Sequence, residues 1–493
     1  MDPDRRPVLW VHVLLCAVGA AVALRAFLLP VAPNDFWWAL ATGRLIAETG
    51  SIPTADVFSY TFPGALWLDQ PWLSQVFMFQ VHALGGVPLV QVSVLACLAI
   101  TFALLYRLGA RMTRAPRATA ALLLLTLPAS SPGWSVRSQA FALPLFIAFV
   151  VVLYHWRARG AGARLWLLPV LMAVWVNVHG SFVLGGVLVA VTLVGTWAHQ
   201  LLGREGQEVP ASIRALVLWG SVTALAVLLN PRGAGVLAYV TGVVGNSAIQ
   251  DLIREWQRPS PFSFIGGAFF LYAGALVWAV VSSRRRLHPA EALVAVAFFW
   301  LGVSAVRHTP WFVLATTPLF LASAVETRLG AWVETWREPS PRLARALVGA
   351  IGVVVMAATP WIKPSLPWPA VVRPVLSTET PVAAVAALQA DPQGPRRLFH
   401  SEGFGSYLLW AAPERRVFID TRVEVYPADH WESYVELSAG GRAAELLDSW
   451  RVDGLLLDRR YQWGLVEWVR ANPDWVVRFE DAGAVYFVKS PGT

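Results

Sequence analysis

The residues best equipped for chemistry in this chain are Asp35, Asp69, Arg137, Asn177, His179, Asn230, Glu255, Arg307 and His308. Each stands at the end of an apolar segment or in a loop between two of them. Charge beside hydrocarbon is costly unless it has a use, so these positions are candidate sites. Asp35 opens Asp35-Phe36-Trp37-Trp38 and could accept a proton from a hydroxyl nucleophile or help bind a cation. Its structural alternative is a helix N-cap, where Asp is favoured. Asp69, in Trp67-Leu68-Asp69-Gln70-Pro71-Trp72, carries the same two readings, with Pro71 near a helix start. Two acids, each ahead of a surface helix, could divide base and positioning roles.

Arg137 with Gln139, and Arg307 with His308, bring planar, bidentate donors suited to phosphate oxygens. The alternative is an arginine that snorkels to a lipid headgroup. Asn177-Val178-His179-Gly180 interrupts a long apolar run and could bind ligand hydroxyls or satisfy the backbone of two helix ends. Asn230-Pro231-Arg232-Gly233 and Glu255-Trp256 belong to another long loop, where Glu255 is a third available carboxylate. The chain has no Walker motif, no dinucleotide fingerprint after a strand and no His-Glu-x-x-His zinc helix. Gly403-Phe404-Gly405 is too short to replace one.

A hydrophobic bundle must hold these groups. Of 493 residues, 56% are hydrophobic and 14% charged, the composition of an integral membrane protein. Its 25 tryptophans suit the membrane–water boundary and, equally, stacking on sugar rings. Apolar segments near 8–30, 87–108, 117–131, 137–156, 164–178, 181–202, 213–230, 263–283, 290–306, 309–325 and 345–362 predict about eleven transmembrane helices. With the N-terminus inside, alternate loops collect 18 arginines, among them Arg5, Arg6, Arg157, Arg159, Arg204 and Arg284 to Arg286. The outward loops hold six: Arg44, Arg137, Arg232, Arg254, Arg258 and Arg307. That bias orients the chain with its C-terminal part outside the cytoplasmic membrane. The net charge of +8 is spread over these short loops, which argues for topology and against a nucleic-acid partner. Cys16 and Cys97 lie in apolar segments and read as packing residues.

The first outward loop, 31–86, predicts two amphipathic helices lying along the membrane surface. One carries Phe36, Trp37, Leu40, Ala41, Leu45 and Ile46 and ends at Gly50; the other carries Trp72, Val76, Phe79 and Val81. After Pro364 the pattern changes to alternating helices (381–390, 404–410, 443–450) and strands (397–399, 416–419, 454–457, 475–479, 484–488), a small soluble α/β domain. The expected division is a transmembrane module, 1–362, and an extracytoplasmic domain, 363–493.

The chain resembles the GT-C-fold glycosyltransferases, the superfamily of protein O-mannosyltransferases and lipid A aminoarabinose transferases. The stretches that carry the resemblance are Asn34 to Arg44, Asp69 to Gln75, Trp175 to Gly180, Asn230 to Gly233, Arg307-His308 and Phe418 to Tyr426. The resemblance implies an outward-facing active site, a polyprenyl-phosphate-linked sugar donor and a catalytic acid in the first outward loop, which maps onto Asp35. Many relatives carry two acids there, whereas this chain has Asn34 before Asp35 and Phe36 after it, leaving Asp69 as the second acid. No cofactor is expected, although a divalent cation is compatible with the outward acids.

The resulting expectation is an α-helical polytopic, GT-C-like membrane glycosyltransferase of the bacterial cytoplasmic membrane. Its partners are the lipid-linked sugar, membrane lipids and a glycan, lipid or protein acceptor. The rivals are a flippase for lipid-linked glycan, which calls for polar groups at the membrane midplane and an internal repeat, and a non-catalytic assembly protein.

Overall fold

The structure is a computed structural model that describes residues 9–159, 164–202, 212–245, 254–392 and 394–490. Arg5, Arg6 and Arg204, which helped to orient the chain, lie outside the described residues, as does the side chain of Arg159. The described residues divide into two compact units. One draws on Met1–Leu29, Val87–Ala234 and Ile253–Pro369, the other on Pro30–Gly86, Gly235–Leu252 and Ala370–Thr493. Residues 30–86 thus pack with the C-terminal region.

The protein is mostly helical and crosses the membrane several times. Among the described residues six helices are long and apolar enough to span: Leu9–Leu28, Trp72–Thr113, which is kinked where Gly85 and Gly86 leave the helical conformation, Ser138–Ala158, Gly180–Leu201, Phe264–Ser282 and Pro341–Ala358. A seventh span is formed if Val306–Ala324 is counted with Arg328–Glu334, which bends from it by 76°. The expected count of about eleven is therefore not reached by helix length. The segment at 117–131 breaks into the helix Pro116–Leu123, a 3-10 turn and the four-residue helix Leu127–Ser130. The segment at 164–178 yields only Leu167–Trp175, about 14 Å long at 1.5 Å per residue. Ile213–Ala226 and Pro289–Ser304 are also shorter than a full span.

In the first unit every residue of the helix Thr309–Ala324 is buried, which makes it the centre of the packing. Aromatic side chains from three other helices close on it. Phe146 meets Trp311 at 5.1 Å between ring centroids, Phe269 meets Phe312 at 5.4 Å, and Phe299 meets Phe312 at 5.6 Å. A Cβ at Gly195 would come within 2.3 Å of the Ala290 backbone, so Val183–Leu201 and Pro289–Ser304 touch through that glycine.

The second unit carries a four-stranded sheet: β1 Leu398–His400, β2 Gly454–Asp458, β3 Trp475–Glu480 and β4 Ala484–Lys489, in the order β1-β2-β4-β3. β1 and β2 run parallel; the other two pairs are antiparallel. The β3–β4 turn is set by Asp481, whose Oδ1 accepts from the backbone of Gly483 and Ala484, both at 2.8 Å. The strand expected at 416–419 is not one. The Val417 backbone instead pairs with Phe58 and Tyr60, which take up its hydrogen-bonding groups. Two further helices, Ala428–Ser438 and Trp463–Ala471, were not expected.

Candidate active site

In the first unit the sequence candidates gather where several helices begin. Arg137 immediately precedes the helix Ser138–Arg159, and its fork closes on Glu255: Nη1 donates to Oε2 at 2.8 Å and Nη2 to Oε1. Glu255 sits in the 3-10 turn Arg254–Trp256. The next residue, Trp256, lies under Arg307, whose guanidinium carbon is 4.4 Å from the ring centroid. The His308 ring meets the edge of the same indole at 5.8 Å and its Nδ1 pairs with Ser304 Oγ at 3.0 Å. The Val306 amide donates to Gln257 O at 2.9 Å and fixes the turn against the start of Thr309–Ala324. One short turn thus carries both the carboxylate on one arginine and the aromatic face beneath the other.

His179 completes this cluster. Its Nδ1 accepts from the Ser181 amide at 3.1 Å and lies 2.8 Å from Ser181 Oγ, which places the ring proton on Nε2. Burial and the charges of Arg307 and Arg137 push the imidazole down to about 3, so it is neutral at physiological pH. Burial pushes the Glu255 carboxyl up, but the hydrogen bonds and charge of Arg137, with the charge of Arg307, outweigh it and hold the group below the ordinary range. Two guanidinia against one carboxylate leave one positive charge on this rim, which suits an anion.

Asn177 and Asn230 serve the backbone instead. Asn177 Nδ2 donates to Ala173 O and to Leu229 O, both at 2.8 Å, and ties two helix ends together. Asn230 Nδ2 donates to Val227 O and Gly233 O while its Oδ1 accepts from the Arg232 amide, closing a turn in which Gly233 takes φ +53°. Both amides thus close helix ends, one of the two readings their sequence context leaves open.

The two acids belong to the second unit. Asp35 is the first residue of the helix Asp35–Thr49, but the cap is Asn34, whose side chain accepts from the Phe36 amide. The capping role expected for Asp35 therefore falls to its neighbour. Asp35 stays half-buried, with Oδ1 accepting from Trp38 Nε1 at 3.4 Å. The helix is enclosed by protein, since Phe36 to Gly43 are all buried. Ser406 donates to Asn34 O at 2.7 Å, and a Cβ at Gly43 would lie 2.2 Å from Gln75 O. Asp69 is 3% exposed and accepts from Gln75 Nε2 at 2.6 Å. Of the two, Asp35 has the better access to a substrate.

Sequence reasoning passed over a further acid in this unit. Asp56, 2% exposed, pairs with Arg422 at 2.8 Å. Arg422 also forks onto Asp420, Nε to Oδ1 at 2.9 Å and Nη2 to Oδ2 at 2.7 Å, and Tyr426 donates to Asp420 Oδ2 at 2.8 Å. Two aromatic rings flank the guanidinium on adjacent sides, Trp67 at 4.5 Å and Phe58 at 4.9 Å, with 6.0 Å between their own centroids. Asp420-Thr421-Arg422 was visible as a motif, yet nothing in sequence tied it to Asp56. With no exposure at Arg422, the cluster is a clamp and not a site for substrate.

No protein-family profile matches the chain, and no curated protein matches it. Solved structures do. The oligosaccharyltransferase of Archaeoglobus fulgidus in its apo form aligns over 100% of this chain and 76% of its own, with a TM-score of 0.57 at 10% identity. The same organism's AglB, in complex with an inhibitory peptide and a dolichol-phosphate, gives a TM-score of 0.58 at 11% identity over 97% and 74% of the two chains. ArnT from Cupriavidus metallidurans, bound to undecaprenyl phosphate, aligns over 99% of both chains with a TM-score of 0.55 at 14% identity.

The chain has a GT-C-like fold. That likeness covers nearly the whole chain and links the bundle to glycosyltransferases whose solved complexes hold a polyprenyl phosphate. In this GT-C-like chain the anion-matching rim belongs to one unit, and the half-buried acid, Asp35, to the other.

Proposed function

We propose that the protein transfers a sugar from a polyprenyl-phosphate donor to an acceptor at the outer face of the bacterial cytoplasmic membrane, with its C-terminal region extracytoplasmic. The observation that carries this reading is the rim of Arg137, Glu255, Trp256, Arg307 and His179, which holds one net positive charge on pre-set donors within a GT-C-like bundle. Arg307, with Arg137 beside it, holds the donor phosphate. As the sugar–phosphate bond breaks, the leaving phosphate gains charge, and fixed guanidinia stabilise it without reorganisation. Asp35 takes the proton from the acceptor hydroxyl as its oxygen attacks the anomeric carbon, a direct displacement with inversion. Asp69, buried on Gln75, positions its surroundings. Neutral His179 keeps an Nε2–H donor without adding charge.

Mass spectrometry of cell-surface glycans and lipids with and without the gene tests the reading. The expected result is one sugar modification lost, with its polyprenyl-phosphate sugar accumulating. An unchanged glycan and lipid profile would overturn it.

A further inference from the structure

Asp35 sits on a turn that is held from outside its own helix. Ser406, on the helix Glu402–Ala411, is fully buried, and its one hydroxyl serves both neighbours of the acid: Oγ donates to Asn34 O at 2.7 Å and accepts from the Trp38 amide at 3.3 Å. A single side chain thus ties the residue before Asp35 to the residue three places after it. The Trp38 carbonyl accepts from Thr42 Oγ1 at 2.9 Å, and the Trp38 indole Nε1 donates to Asp35 Oδ1 at 3.4 Å. That buried indole is braced in turn. It meets the ring of Trp67 edge to face at 6.2 Å, and Trp67 lies 4.5 Å from the Arg422 guanidinium and donates from Nε1 to Glu424 Oε1 at 3.4 Å. The Arg422 clamp therefore reaches Asp35 through two indoles.

We infer that Trp38 and Ser406 are positioning residues for Asp35, through which the C-terminal region sets the direction of the base. The inference rests on Asp35 being that base. A carboxylate on a helix's first turn can rotate about two side-chain bonds, and an N–H on Oδ1 fixes the plane of the group and so where its second oxygen lies. Holding a reacting group in one geometry removes the entropy of finding it, and a rigid supporting shell is what keeps that geometry. The indole N–H is a donor that carries no charge, so it orients the carboxylate without neutralising it. At 3.4 Å the bond is long, as catalytic hydrogen bonds often are before substrate is bound, and they tighten in the complex. Ser406 comes 368 residues after Trp38, so no local pattern in the chain announces the arrangement.

The test uses the full chain, returned at equal levels to cells lacking the gene, with the initial rate at which the missing sugar modification reappears read by mass spectrometry. Benzothienylalanine at position 38 keeps the shape of the indole and replaces its N–H with sulfur. It should slow the reappearance about tenfold at unchanged Tm, the scale of one hydrogen bond to a charged group. NMR of the purified protein with ring-labelled tryptophan gives a second measurement that needs no substrate. The Trp38 indole N–H signal should move upfield in Asp35→Ala, and Ser406→Ala should move it in the same direction. A Ser406 that only caps the helix would lower Tm and leave that signal in place. A wild-type rate with benzothienylalanine, or an unmoved Trp38 signal in either variant, would overturn the inference and leave Asp35 as the base. Full restoration by Asp35→Asn would instead remove the base, and the inference with it.

Discussion

The guanidinium of Arg307 lies over the indole of Trp256, 4.4 Å from its centroid. This stacking holds the planar fork in one orientation before any ligand arrives, which lysine cannot reproduce. Arg307→Lys should weaken binding of undecaprenyl phosphate by about tenfold or more, and Trp256→Leu should weaken it by less, since a cation–π contact contributes about 0.5–2 kcal/mol. Calorimetric titration of the purified variants checks both. Unchanged affinity in Arg307→Lys would remove this residue from the phosphate site and leave Arg137.

Asn34 and Asp35 separate stability from chemistry at adjacent positions. Asn34→Ala removes the cap of Asp35–Thr49 and should cost about 1 kcal/mol, read as a lower Tm. Asp35→Asn should leave Tm nearly unchanged while transfer falls by about 10²- to 10⁴-fold, the usual loss of a general base. A fully active Asp35→Asn enzyme would reassign the base.

Arg422 is the strongest single prediction for stability. Replacing it with methionine leaves Asp56 and Asp420 buried and uncompensated, which typically costs about 3–5 kcal/mol. Thermal unfolding should show a large drop, with transfer lost through loss of folded protein. A small drop would mean that water reaches the acids.

The neutral state of His179 has a pH signature. Its folded pKa of about 3 lies below the ordinary 6.5, so protonation favours the unfolded chain. The stability it supports is complete above pH 6.5 and declines as pH falls towards 3. NMR of ring-labelled protein should show no His179 titration between pH 8 and 5. A midpoint near 6.5 would mean that the ring is neither buried nor held in the field of the two arginines.

Much of this was legible in the sequence where local pattern and chemistry coincide. The gathering of Arg137, His179, Glu255, Arg307 and His308 could be read because all precede or follow apolar segments, and the structure brings them to one rim. Three of the four expected C-terminal strands after Arg397–Phe399 also stand. Asn177 and Asn230 stayed ambiguous because an amide that closes helix ends has the same sequence signature as one that binds a ligand. The buried helix Asp35–Thr49 looked amphipathic, since sequence periodicity cannot show that a second protein layer, bearing Ser406 and Tyr407, covers it. Asp56 with Arg422 was invisible because the pairing is made across most of the chain.

That last pairing has a consequence for synthesis. Asp56 emerges roughly 370 residues before the arginine that neutralises it, and at 5–20 residues per second the wait is about 20–70 s. Throughout that interval the loop bearing Asp56 holds a carboxylate and two aromatic rings, Phe58 and Trp67, placed for a guanidinium that has not yet been made. The loop must therefore stay open to water, or be shielded by another protein, until nearly the end of translation. Nascent chains truncated before residue 422 should be the protease-sensitive form of this protein.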